Sequence, residues 1–369
     1  MLSTTAQIAR VGVMVPGAED PAAVVAGRDT GPPPGDWFDA VWHLGRRGWK
    51  YQSPAVRYLV AATRLAVTGD ELAGIEPPAG AVSIGTHDSV GRLHRQFDDA
   101  LRAEGIRGLS PAELPGFSVN TPASHLAIAY DLHGFCLTLT NPLTAGIEAL
   151  LHGAAAIRAG TVTRVLAGAT EDTEPGGSIR PGACAILLTA APAPMPDAPQ
   201  ADGPQTEPPV AGEPGATVAG GCTAFLPAPT GLDATNHPGR VVAAAAADPE
   251  RHAATERRRT VVASLADRIA GSVPAHAPPG TRPLAYAFCA PSGPHDLDRA
   301  VRERLEARGL PVAHRQYLGG AGEFGTVSPL LQLVGLLTEF GSGLVVAADP
   351  LGPVAAVYVT RTPDARAHP

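Results

Sequence analysis

The chain has 369 residues, 44% of them hydrophobic, enough to bury one large core or two fused ones. A formal net charge of −7 argues against a basic nucleic-acid surface. The longest uncharged apolar run, Phe324–Leu337, is too short and too broken by Gly and Pro to span a bilayer. The first ten residues, MLSTTAQIAR, lack a signal-like apolar core, so a cytoplasmic protein without membrane attachment is expected.

In chain order, Gln7–Val15 reads as a strand, ended by Pro16-Gly17-Ala18. Asp29–Asp36 (DTGPPPGD) is a loop, and Trp37–Trp49 carries all three tryptophans as core or loop anchors. Ser53–Val67 has the helical period, with Val56, Tyr58, Leu59, Ala62 and Leu65 on one side. Ala81–Gly85 is a strand running into Thr86-His87. Val90–Glu104 is an amphipathic helix, Leu109–Phe117 a loop or short helix, and Ser118–Leu132 a helix after a Pro122 start.

Cys136–Gly160, CLTLTNPLTAGIEALLHGAAAIRAG, is the stretch the rest is organised around. Cys136–Thr140 reads as a buried strand, Asn141–Gly146 as a tight elbow, and Ala145–Arg158 as a helix rich in small residues. Many enzymes present a nucleophile this way, lifted from a sheet to the positive end of a helix. Here the tip is Leu143, which has no nucleophilic atom.

Thr163–Gly168 is the next strand, closing at Glu171-Asp172, two carboxylates at a strand end that read either as acid/base groups or, as the more usual case, as solvated loop residues. Ala183–Thr189 is another. Ala191–Pro214 holds eight prolines without periodicity and reads as a linker. Beyond it, Ala216–Phe225 is strand, Val241–Ala247 is ambiguous, and Glu256–Ile269 is helix. Leu284–Ala290 is strand, Asp296–Arg308 a charged helix, and Pro311–His314 a short strand. Gly319–Gly325 is a glycine loop, Thr326–Phe340 an apolar helix, and Gly343–Ala348 and Val354–Thr360 two final strands. Alternating strands and helices argue for an α/β fold. RVLAGATED with ACAILLTA, and GLVVAADP with AAVYVTR, close the two halves alike, as in a duplication. Cys136, Cys184, Cys222 and Cys289 show no CxxC spacing and read as buried thiols.

VSIGTHDS (Val82–Ser89), the elbow and its helix (Gly134–Gly160), RVLAGATED (Arg164–Asp172) and GACAILLT (Gly182–Thr189) follow the order of β-ketoacyl synthases, which the chain resembles. FCAPSGPHD (Phe288–Asp296), GGAGEFG (Gly319–Gly325) and LVVAADPLGPVAAVYVTR (Leu344–Arg361) continue it over nearly the whole chain. The resemblance implies the thiolase fold: two similar halves in a five-layered αβαβα body that dimerises. The halves would be residues 1–190 and 215–369, joined by the Pro-rich 191–214.

The departures bear on function. The family's elbow cysteine falls on Leu143, its first histidine on Pro291, and its second on Gly319 or Gly320. Its GFGG-like gating loop reads Pro350-Leu351-Gly352-Pro353. Decarboxylative condensation needs a thiolate and two imidazoles, so no catalytic residue is expected here. A ketosynthase-like chain lacking them resembles the chain-length factor of type II polyketide synthases. With leucine at the elbow it is more similar to the highly reducing, polyene-forming branch. That resemblance implies a heterodimer with an active ketosynthase, a shared acyl tunnel that limits product length, and an acyl carrier protein reached through the complex. Leu114, Phe117, Asn120, His125 and Leu143 become tunnel or interface candidates, with Phe117 read equally well as plain core.

Other patterns carry less. Gly320–Gly325 fits GxGxxG before a helix with Asp349 beyond, but too little chain follows to complete a dinucleotide half. No GxSxG surrounds Ser292 beside His295. His87, His94, His125 and His133 lack metal spacing. No cofactor or metal is expected. The competing readings are a thiolase-fold acyltransferase or cyclase using Ser292, Cys289 or His125, and a degenerate subunit that only stabilises a partner.

Overall fold

A computed structural model describes residues 4–27, 37–67, 72, 75–172, 179–192, 216–226, 249–274, 283–291, 294–319 and 323–361. The first half contains β1 (Thr4–Met14), α1 (Pro21–Ala26), α2 (Ala40–Leu44), α3 (Pro54–Ala66) and β2 (Gly80–Gly85). It continues with α4 (Gly91–Glu104), α5 (Thr121–Ala129), β3 (Cys136–Leu139), α6 (Ala145–Arg158), β4 (Arg164–Glu171) and β5 (Gly182–Pro192). The second half contains β6 (Ala216–Phe225), α7 (Pro249–Gly271), β7 (Leu284–Cys289), α8 (His295–Ala307) and β8 (Val312–His314). It ends with α9 (Ser328–Phe340), β9 (Ser342–Ala348) and β10 (Pro353–Arg361).

Local chemistry sets several boundaries. The Ser53 hydroxyl accepts from Val56 N and Pro54 opens α3; Asp20 accepts from Ala23 N and Pro21 opens α1. Gly27 and Gly341, both in the left-handed region, close α1 and α9.

The strands form one ten-stranded sheet in the order β3-β2-β4-β5-β1-β6-β10-β9-β7-β8. It consists of two copies of one pattern. In each copy the second strand runs parallel to the third and fourth, and the fifth runs antiparallel to both the fourth and the first. The copies join edge to edge where Gln7 and Ile8 of β1 face Thr217 and Ala216 of β6.

Strand alternation then builds the layers. Val165, Ala167 and Ala169 of β4 face a central cluster, and Val345 and Ala347 of β9 face the same cluster from the other half. Helices α6 and α9 fill it with Ile147, Leu150, Leu330 and Val334. The opposite faces meet α3 and α5 in one outer cluster, and α7 and α8 in the other. Each fully buried Leu, Ile or Val contributes about 1.5–3 kcal/mol. This is the two-half, five-layer αβαβα body of the thiolase fold that the resemblance implies.

Several expectations are corrected. The strand Cys136–Thr140 is not buried: β3 is the sheet's edge, and Cys136 at its start is exposed. Cys222 is half-buried on β6, so only Cys184 and Cys289 are the interior thiols expected of all four. Leu65 is exposed, because α3 turns Val60, Ala61 and Ala66 inward instead. The Ser118–Leu132 helix is confined to Thr121–Ala129, and Asp131 turns left-handed at φ 54 just beyond it. Trp42 is exposed, whereas Trp37 and Trp49 pack against the outer core. Asp29–Asp36, Val241–Ala247, residues 193–214 of the proposed linker, Ser292 and Gly320 lie outside the described residues.

Candidate functional site: the elbow between β3 and α6

The elbow forms as its sequence predicts. Leu143 has φ 59, a left-handed conformation that a branched residue occupies only when its surroundings impose it. Its side chain is 4% exposed and belongs to the central hydrophobic cluster. The constraint is a small polar network. Glu148, in the first turn of α6, accepts from Asn141 Nδ2 at 2.8 and 3.1 Å and from the Thr144 hydroxyl at 2.6 Å. Its negative charge also suits the helix N-terminus.

The elbow is squeezed from two sides. A Cβ on Gly85 at the end of β2 would collide with the Ala145 backbone, and one on Gly146 with the Thr326 carbonyl. Glycine at both places lets the α6 N-terminus sit against β2 and against the 3-10 turn that enters α9.

Beside it lies a buried carboxylate. Glu171 is fully buried, not solvated, and accepts from His87 N, Asp88 N, Thr326 N and the Thr326 hydroxyl. Burial raises its pKa against the pull of those four donors. Asp172 is also buried and pairs with Arg92 at 2.7 Å. β4 runs through Glu171, three residues past the expected Gly168, and the buried Asp172 follows it directly. Four donors from two separate segments, His87–Asp88 and Thr326, converge on Glu171, a signal absent from local pattern.

The resemblance aligns the family's catalytic set with Leu143, Pro291 and Gly319 or Gly320. Leu143 fills the elbow, Pro291 is exposed just past β7, and Gly319 sits left-handed at φ 74. The expected gating loop is the β9–β10 turn. There Leu351 N donates to Asp349 Oδ1 at 2.8 Å and Gly352 N to Asp349 O at 3.0 Å. Burial raises the Asp349 pKa, opposed by the Leu351 N–H and by His87.

Two of the alternative candidates, Cys289 and His125, lie among the described residues. Cys289 is fully buried, and burial pushes its thiol far above the range of a thiolate. His125 is half-buried with its ring 5.7 Å from that of Trp49, and burial lowers its pKa.

Leu114, Phe117 and Asn120 do not gather at the elbow. They lie exposed in the turns before α5, where Phe117 stacks on His94 at 3.9 Å and meets Phe97 edge-on at 5.4 Å. Among the described residues no group of three His, Cys, Asp or Glu side chains could hold a metal, and no helix is long and apolar enough to cross a membrane.

No protein-family model and no curated protein matches the chain. Solved structures do. A type II polyketide synthase acyl-carrier protein in complex with its ketosynthase bound to the hexaketide (AntDE:AntF) aligns at TM-score 0.69 and 13% identity. That alignment covers 98% of this chain and 100% of the other. The ishigamide ketosynthase/chain length factor aligns at TM-score 0.62 and 18% identity, over 97% and 99% of the two chains. The oxazolomycin ketosynthase domain OzmH KS8 of Streptomyces albus JA3453 aligns at 0.55 and 15%, over 98% and 96%. The likeness spans whole chains and shows the thiolase fold that these solved structures share.

Proposed function

We propose that the chain is a non-catalytic ketosynthase-like subunit, a chain-length factor, that pairs with an active ketosynthase, completes its acyl tunnel and limits polyketide length. One observation carries this reading: the nucleophile elbow is built, strained and buttressed, yet its tip is a buried leucine. A fold that keeps the elbow's backbone without its thiol has kept the shape and lost the chemistry. The positions of both family imidazoles carry Pro291 and Gly319 or Gly320, which supply no proton acceptor.

The surface supports a partner. Among the described residues β3 leaves one edge of the sheet free, Ile128 on α5 is 82% exposed, and Leu114 and Phe117 in the turns before α5 are exposed as well. Apolar side chains around an open strand edge are what an obligate interface covers. In this reading Leu114, Phe117, Asn120 and His125 lie at the interface or line the shared tunnel, and Leu143 closes its inner end. Residues 1–190 and 215–369 act as the two halves, with 191–214 as linker. An acyl carrier protein delivers substrate to the complex rather than to this chain alone, in the cytoplasm. The highly reducing, polyene-forming branch is the best-fitting assignment.

The test is reconstitution. The chain is co-expressed with a ketosynthase that retains its cysteine and both histidines, and malonyl-thioester condensation is followed by product mass. Elongation is expected from the pair and not from this chain alone. A monomer that condenses or transfers acyl groups unaided would favour the acyltransferase or cyclase reading.

A further inference from the structure

We draw no further inference here: the strongest candidate, the basic surface that the 45–52 loop and α3 share through Arg46, Arg47, Lys50, Arg57 and Arg64, leads only to the carrier-protein contact already part of the proposed function, and nothing in the structure shows another occupant.

Discussion

The Thr326 hydroxyl donates to Glu171 Oε1 at 2.6 Å, tying the end of β4 in one half to the turn that enters α9 in the other. The same carboxylate takes three backbone N–H groups. Glu171→Ala would strand these buried donors, at a cost on the order of 3–5 kcal/mol. Glu171→Gln keeps one acceptor and should cost less. The pH dependence has a definite sign. Burial raises the folded pKa above the ordinary 4.5, so the folded chain holds the proton more tightly than the unfolded one. Stability from this group is therefore greatest in acid and falls as pH rises from 4.5 through the raised value. Thermal melting of wild type and Glu171→Gln across that window should show a shallower fall in the variant. Parallel curves would remove Glu171 as the source.

Phe117 lies on the outside of this chain, 42% exposed against His94 and Phe97. It can bound a tunnel only if a partner supplies the opposite wall. Phe117→Ala should therefore cost the isolated chain little, about 1 kcal/mol, yet lengthen the products of the reconstituted pair. Unchanged product masses from an intact complex would return Phe117 to the role of a surface staple.

Ile128 offers the cleanest test of the interface. At 82% exposure it contributes little to the fold of this chain, so Ile128→Glu should leave the melting temperature nearly unchanged. A carboxylate placed inside an apolar interface should prevent pairing. Size-exclusion chromatography of the co-expressed proteins should show the complex lost. A complex that survives the charge places the partner elsewhere.

The halves were legible because their strands alternate and their helices carry caps. Ala216–Phe225 was read to the residue, and the closing pairs β4–β5 and β9–β10 revealed the repeat. The elbow was legible because Asn141-Pro142 cannot continue a strand and the small residues after Thr144 favour a close helix. The edge position of β3 was not, since a short apolar run reads the same at an edge as in the middle of a sheet. The burial of Glu171 was also hidden. Its partners His87, Asp88 and Thr326 lie 84, 83 and 155 residues away in sequence, and no local period records them.

Leu143→Cys asks whether the elbow alone makes an enzyme. The backbone at φ 59 would present the thiol at the N-terminus of α6, where the helix field favours a thiolate. Glu148 in the first turn works against that field, and the native side chain is 4% exposed, so alkylation by iodoacetamide should be slow. Replacing a buried branched side chain by a smaller one should cost about 1–2 kcal/mol. Leu143→Gly would also relieve the left-handed strain, worth about 1 kcal/mol, while losing more apolar contact. Neither variant gains an imidazole, because Pro291 and Gly319 or Gly320 remain. Members of a catalytic set act together, so restoring one recovers little. Purified Leu143→Cys, assayed without a partner for malonyl-thioester condensation, should form no carbon–carbon bond. Sustained condensation by that variant would mean that other groups at the elbow perform the work of the missing histidines, and the reading of this chain as a non-catalytic subunit would fail.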